Sequence, residues 1–188
     1  MSTPEPGWEA ETGLSVEYYR EPAITWELDR ELRALLAACF RSAGSQMFSC
    51  RRYCYELPLH RWVLRDAKRR LVAHLALHDK QILAGGAQLR VGGIAEVCVL
   101  PSQRGRGHVK RLLSLAHALC ANERIEHTLL FGDLEVYASS GYAPLPARAV
   151  LLNADTLMSQ AAPSWLLWRA CSGSSWPLGE VDLSGPEF

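Results

Sequence analysis

IAEVCVLPSQRGRGHVKRLLSLAHALC, residues 94–120, sets an apolar strand, a proline, a basic glycine-rich turn and an amphipathic helix in direct succession. Gly105 and Gly107 let backbone N–H groups converge in the turn, and the positive end of the following helix faces them. Arg104, Arg106 and Lys110 add charge, so the turn suits a phosphate or pyrophosphate; a solvated basic connection is the plainer alternative. Along the helix, Val109, Leu112, Leu113, Ala116, Leu119 and Cys120 share one face, which is the pattern of a helix packed on a core.

Working outward, HTLLF at 127–131 supplies a short apolar strand that the right-handed crossover rule places parallel to the strand before the turn. HRWVLRD (60–66) and RRLVAHLALHDKQIL (69–83) read as strands joined by a charged turn, and Gly85-Gly86 as a reversal into AQLRV, giving an antiparallel meander. Gly92-Gly93 predicts a bend in the strand that carries Glu96. DRELRALLAACFRSAG predicts a helix capped by Asp29 and stopped by Gly44, with Leu32, Leu35, Leu36 and Cys39 inward. DLEVYASSGY reads as a short helix closed by Gly141, ARAVLLN and SWLLWRA as late strands, residues 46–60 as a short helix or a loop, and the ending as loop.

The fold class expected is α/β (α+β): a mixed, mostly antiparallel sheet flanked by helices. Residues 1–13 are polar and proline-containing and read as a tail, leaving one domain over 14–188. Twenty basic and twenty acidic side chains cancel, so no global field draws the chain to nucleic acid or to an anionic membrane. No apolar run has the length of a membrane span and the start lacks a signal-peptide layout, so the expected location is cytoplasmic, with the six cysteines as thiols. Cys50, Cys54 and His60 lack a second cysteine pair, and no metal site is expected. The basic pairs Arg51-Arg52 and Lys68 to Arg70 read as solvated.

Two phosphate motifs fail on particular residues. A nucleotide P-loop needs lysine then serine or threonine, whereas His108 and Val109 follow Gly107; a dinucleotide fingerprint needs a third glycine where Lys110 stands. The succession Val99-Leu100-Pro101, then Arg104-Gly105-Arg106-Gly107-His108-Val109 and a helix, resembles the coenzyme A signature of the GNAT superfamily of N-acetyltransferases. LLFGDLEVYASSGY (129–142) resembles the second signature of that family, a short helix bearing a tyrosine, and the likeness covers roughly residues 15–150. Residues 60–82 and 94–113 are similar to aminoglycoside 2′-N-acetyltransferases, and SWPLGEVDLSGPEF (175–188) to the rhizobial nodulation N-acyltransferase. Val109 stands where the signature has glycine or alanine, and FGDLE replaces the asparagine usual ahead of the tyrosine.

The resemblance implies a sheet splayed at the coenzyme A site. It implies that the backbone of Val97, Cys98 and Val99 holds pantetheine and thioester, while Arg104, Gly105, Arg106, Gly107, His108, Val109 and Lys110 seat the pyrophosphate. It implies acetyl-CoA as donor, a small-molecule amine as acceptor with an amino sugar favoured, and direct attack. Strand alternation sets Glu96 and Cys98 opposite Val97 and Val99, which makes Glu96 the candidate base and acceptor contact. Tyr137 is the candidate acid, Cys98 a small residue lining the cleft, and His74 a minor acceptor-site candidate. The likeness of the tail brings Glu187 and the Phe188 carboxylate to the acceptor ammonium. Alternatives are a nodulation-like enzyme with a longer acyl donor and a non-catalytic acyl-CoA binding module; a homodimer is compatible with the sequence.

Overall fold

The computed structural model describes residues 13–41, 43–153, 156–177 and 179–183. In chain order these form β1 (Ser15–Arg20), α1 (Trp26–Cys39), β2 (His60–Arg65), β3 (Leu71–Ala84), β4 (Ala87–Val99) and α2 (His108–Asn122). There follow β5 (His127–Phe131), α3 (Leu134–Tyr137), β6 (Ala143–Pro144), β7 (Arg148–Asn153), β8 (Thr156–Ala161), β9 (Leu166–Ala170) and β10 (Val181–Asp182). All ten strands join one sheet in the order β6-β9-β5-β4-β3-β10-β7-β8, with β1 and β2 branching from β3. Its ladders are antiparallel except β4 with β5 and β7 with β10. This is the mixed, mostly antiparallel sheet expected.

The meander forms because each reversal has the residues its geometry needs. Gly85 and Gly86 take φ of +58° and +83° between the paired Ala84 and Ala87, a two-residue hairpin that only positive φ closes without splaying the strands. Strand β8 and the Val181–Asp182 bridge between β3 and β7 were not expected; both depend on partners far along the chain.

Helix α1 begins at Trp26, four residues before the start that an Asp29 cap would give. Thr25 is its cap, with Oγ1 accepting the Leu28 N–H at 3.3 Å, while Asp29 is drawn into ion pairs with Arg33 (2.9 Å) and Arg52 (2.7 Å). The helix ends at Cys39, before Gly44, where Phe40 turns extended and its ring packs on Phe48 at 5.3 Å. Residues 43–49 form a 3-10 helix, and 50–59 run on without regular structure. Leu28, Leu32, Leu35 and Leu36 bury against Val63, Leu71 and Cys98 on one sheet face. Burying each such leucine contributes about 1.5–3 kcal/mol.

On the other face α2 places Leu112, Leu113, Ala116 and Cys120 against Val72, Leu75, Ile94 and Val99. Gly92 belongs to this packing and not to a bend: its register runs unbroken, and a Cβ there would lie 2.9 Å from Leu77 Cδ1 and 3.0 Å from Cys120 Sγ. The expected bend at Gly92-Gly93 is therefore displaced, and the irregularity of β4 falls at Glu96. Among the described residues no helix is long and apolar enough to cross a membrane. Of the expected tail, residues 1–12 lie outside those described.

Candidate active site

The ladder between β4 and β5 ends at the pair Ile94 and Leu130, yet β4 continues to Val99. Beyond Ile94 the strands part, which frees one backbone edge of β4 from sheet pairing. Across the sheet, Ala76 pairs with Ala95 and His74 with Cys98, so the single residue Leu75 faces both Glu96 and Val97. Glu96 absorbs the extra residue at φ +47°, the left-handed region that costs a non-glycine on the order of 1–3 kcal/mol. The bulge shifts the phase of alternation: Ile94, Val97 and Val99 pack towards α2, while Cys98 packs towards α1.

A cleft of about 700 Å³ occupies the gap. Val97, Cys98 and Val99 form one side; Arg104, Gly105, Gly107, His108, Val109 and Lys110 close one end; Tyr137, Cys39 and Phe40 complete the walls. Thus nine of the ten residues expected at the cofactor meet on one cleft. Arg106 does not: it lines a second recess on the other side of the turn. Gly105 and Gly107 take φ of +74° and +75° with open space around them, so glycine is needed there for backbone conformation and for unobstructed N–H groups. Gly107 is the N-terminal cap position of α2, and no side chain caps that end. Arg104 is tied back, its Nε donating to the Val99 carbonyl at 3.3 Å.

Glu96 lies beneath the cleft wall, its side chain 3% exposed. Cys54 N–H donates to Oε1 at 2.9 Å; Oε2 lies 3.6 Å from Arg61 Nη1 and has no hydrogen-bond donor. Burial pushes the carboxyl up to about 7, held back by the Arg61 charge and the Cys54 N–H. Arg61 is fully buried and extends a chain of charges: its Nε donates to Glu21 at 2.7 Å, and Glu21 in turn accepts from Arg52 at 2.8 Å. His74 is a core residue and not an acceptor contact, because Nδ1 donates to the Glu96 carbonyl (3.0 Å) and Nε2 accepts from Arg61 (3.1 Å). Burial and the Arg61 charge push its imidazole down to about 3, so it is neutral.

Tyr137 is set by local chemistry at both ends of α3. Asp133 Oδ1 accepts the Glu135 N–H at 3.0 Å, and Gly141 ends the following turn at φ +86°. The ring meets Tyr142 edge-on at 6.0 Å and lies under Gly132, where a Cβ would come within 2.6 Å of Tyr137 Cε2. Burial, and secondarily Cys98, push the phenol up to about 12, so it carries its proton at neutral pH. Cys98 donates its thiol to Cys39, and that bond together with burial pushes it well above the usual thiol range. It is no nucleophile in this setting.

One expectation changes, that of the basic pair Arg51-Arg52. Arg52 is not solvated but bridges Glu21 and Asp29, and Arg51 stacks on Tyr53 with its carbon 5.3 Å from the ring centroid. Cys54 contributes its backbone to Glu96, and among the described residues no group of three His, Cys, Asp or Glu is placed to hold a metal. Glu187 and Phe188 lie outside the described residues. Sequence reasoning missed Arg61, Glu21, Cys39, Phe40 and Gly132. Arg61 had a signal, a cation inside an apolar strand; Gly132 answers to Tyr137 a few residues on, and the others depend on contacts between distant segments.

By sequence, no curated protein matches the chain. Solved structures share the fold. The GNAT family N-acetyltransferase YhbS from Escherichia coli, in complex with CoA, is 17% identical with a TM-score of 0.65, over 97% of this chain and 93% of that one. A GNAT family acetyltransferase from Brucella melitensis, in complex with acetyl-CoA, is 21% identical with a TM-score of 0.59, over 89% of this chain and 94% of that one. A GCN5-related N-acetyltransferase from Kribbella flavida is 20% identical with a TM-score of 0.53; the match takes in 70% of this chain and 33% of that longer one. The family model described as acetyltransferase (GNAT) domain matches residues 25–145, well over half of the chain and the whole of the described cleft. The chain belongs to the GNAT acetyltransferase family.

Proposed function

We propose that the protein transfers the acetyl group of acetyl-CoA to a primary amine of a small molecule, with an amino sugar favoured as acceptor. One observation carries this reading. A cleft at the parting of β4 and β5 joins an uncapped helix end and two left-handed glycines to a protonated phenol, with a buried carboxylate of near-neutral pKa under its wall. The glycine turn suits a pyrophosphate, and the unpaired edge of β4 suits an extended pantetheine arm.

The chemistry then uses this chain's own groups. Glu96 takes a proton from the acceptor ammonium through a water, since its carboxylate lies under the wall and one oxygen has no donor. The free amine attacks the thioester carbonyl, and backbone N–H groups on the unpaired edge of β4 stabilise the oxyanion. The C–S bond breaks, Tyr137 gives its proton to the leaving thiolate, and the surplus proton of the attacking nitrogen passes to the tyrosinate as the amide forms. Cys98, held protonated by its bond to Cys39 and by burial, favours direct attack by the amine over an acetyl group carried on that thiol.

The test is thiol release from acetyl-CoA against a panel of amines, repeated with long-chain acyl donors. Acetylation of an amino sugar with little use of long chains supports the proposal. Donor binding without turnover on any amine would favour a binding module, and preference for long chains would favour the nodulation-like alternative.

A further inference from the structure

We infer that Cys39 and Cys98 form an oxidisable thiol pair in the cleft wall: a peroxide joins them by a disulfide while the cleft holds no donor, and the joined wall no longer admits one. The loss of activity rests on the acetyl-CoA reading above; the disulfide itself does not. The bulge at Glu96 makes the pair, because it turns Cys98 to the side of the sheet on which α1 ends at Cys39. Both residues pack in the cluster beneath α1, and both line the cleft. Cys98 is 5% exposed and donates its thiol to Cys39, so the two sulfurs already face each other. Cys39 is half-buried, which leaves it a side that a small molecule reaches from the cleft.

The two thiols are unequal, as an attacking and a resolving thiol must be. The hydrogen bond from Cys98, and secondarily the charges of Arg104 and Arg41, hold the Cys39 thiol below its usual range although burial opposes them. Its thiolate attacks one peroxide oxygen: the S–O bond forms, the O–O bond breaks, and the leaving hydroxide takes up the thiol proton as water. Cys98 then attacks the sulfenic sulfur; the S–S bond forms, the S–O bond breaks, and the Cys98 proton leaves with the hydroxyl as a second water. Two thiols are oxidised and one peroxide is reduced. In the reduced protein that proton keeps Cys98 inert towards a thioester, and the sulfenic oxygen is the acceptor that removes it. A disulfide holds its sulfurs about 2.0 Å apart, closer than two hydrogen-bonded thiols, so the end of α1 is drawn onto β4. Phe40, next in the chain and itself a cleft wall, moves with it.

The experiment treats wild type, Cys39→Ser and Cys98→Ala with hydrogen peroxide, with and without saturating acetyl-CoA, and removes the peroxide with catalase. Intact mass, peptide mapping, acetyl-CoA turnover and melting curves are then read, each variant against its own untreated sample. Wild type should lose two hydrogens, yield a Cys39–Cys98 linked peptide, lose activity on the order of tenfold or more, and recover with dithiothreitol. Acetyl-CoA should slow that oxidation. Cys39→Ser should keep its untreated rate, and Cys98→Ala should stop at a sulfenic acid on Cys39 that dimedone traps. Sulfinic acid on Cys39 without linkage in wild type, oxidation at the same rate with and without donor, or inactivation that persists in Cys39→Ser would overturn the inference. So would inactivation that tracks a disulfide between Cys120 and Cys171, the other pair of hydrogen-bonded thiols. A linked and fully active wild type would overturn the switch and leave the acetyl-CoA reading intact; a reduced protein that neither binds nor turns over acetyl-CoA would end that reading and the switch with it.

Discussion

Replacing Gly132 by alanine should disable Tyr137, the proposed acid, while leaving that residue itself unsubstituted. Gly132 sits between β5 and α3 with its N–H bonded to the Trp165 carbonyl at 2.8 Å, so the backbone there is held in place. The new methyl would lie 2.6 Å from Tyr137 Cε2 and 3.2 Å from Tyr137 Cδ2, against an ordinary carbon contact of about 3.5–4.0 Å. It cannot swing the other way, because Leu130 Cδ1 stands at 3.2 Å and that side chain is 1% exposed. The tyrosine ring must therefore retreat by about 1 Å, a misplacement that costs on the order of a hundredfold in rate. Overpacking adds about 1–3 kcal/mol of strain, or roughly 2–10 °C in Tm for a chain of this length. Steady-state kcat and thermal melts would be measured for Gly132→Ala, Tyr137→Phe and the double variant. Because both changes act through one hydroxyl, Gly132→Ala should add little in the Tyr137→Phe background. A folded Gly132→Ala protein with kcat within threefold of wild type, or losses that multiply in the double variant, would refute the reasoning.

The remaining predictions concern the buried charges and the turn. A base must be deprotonated to act, so kcat/KM should rise with pH through about 7 and level off, and Glu96→Gln should lower it by about 10²–10⁴ and remove that limb from the pH–rate profile. Arg61→Gln removes the charge that holds Glu96 down, so the limb should move to higher pH, and denaturant melts should show a cost of about 3–5 kcal/mol. His74 titrates near 3 folded and near 6.5 unfolded, so its contribution is fully present above about 6.5 and is lost as pH falls towards 3, by at most about 5 kcal/mol. His74→Gln, less stable at neutral pH, should therefore lose less over that window in urea titrations. Gly107→Ala should weaken acetyl-CoA binding by calorimetry, whereas Gly86→Ala, equally strained at the distant hairpin, should leave it unchanged.

Most of the fold was legible because its decisive signals are local. The glycine turn, the stripe on α2, the paired glycines of the hairpin and Gly141 each announce themselves within a few residues. The parallel crossover followed from handedness alone. What was not legible is register. The bulge at Glu96 exists only as a mismatch between β3 and β4, and Gly92, which looked like the bend, answers to Cys120 on α2 instead. The start of α1 moved because Asp29, a good cap in isolation, has Arg52 as a partner 23 residues on. The pKa of Glu96 had the same kind of origin, since Arg61 and Cys54 reach it from other segments.

The central claim is that an acetyl group passes directly from the donor in the β4–β5 cleft to an amine. It is tested most directly by following isotope-labelled acetyl-CoA with wild type, Glu96→Gln and Tyr137→Phe proteins and an amino-sugar panel, reading both product and protein by mass spectrometry. The account predicts a labelled amide, formed in step with free CoA, no label on the protein, and a loss on the order of a hundredfold or more in either variant. Label retained on Cys98, or an amide formed as fast without Glu96 and Tyr137, would contradict it.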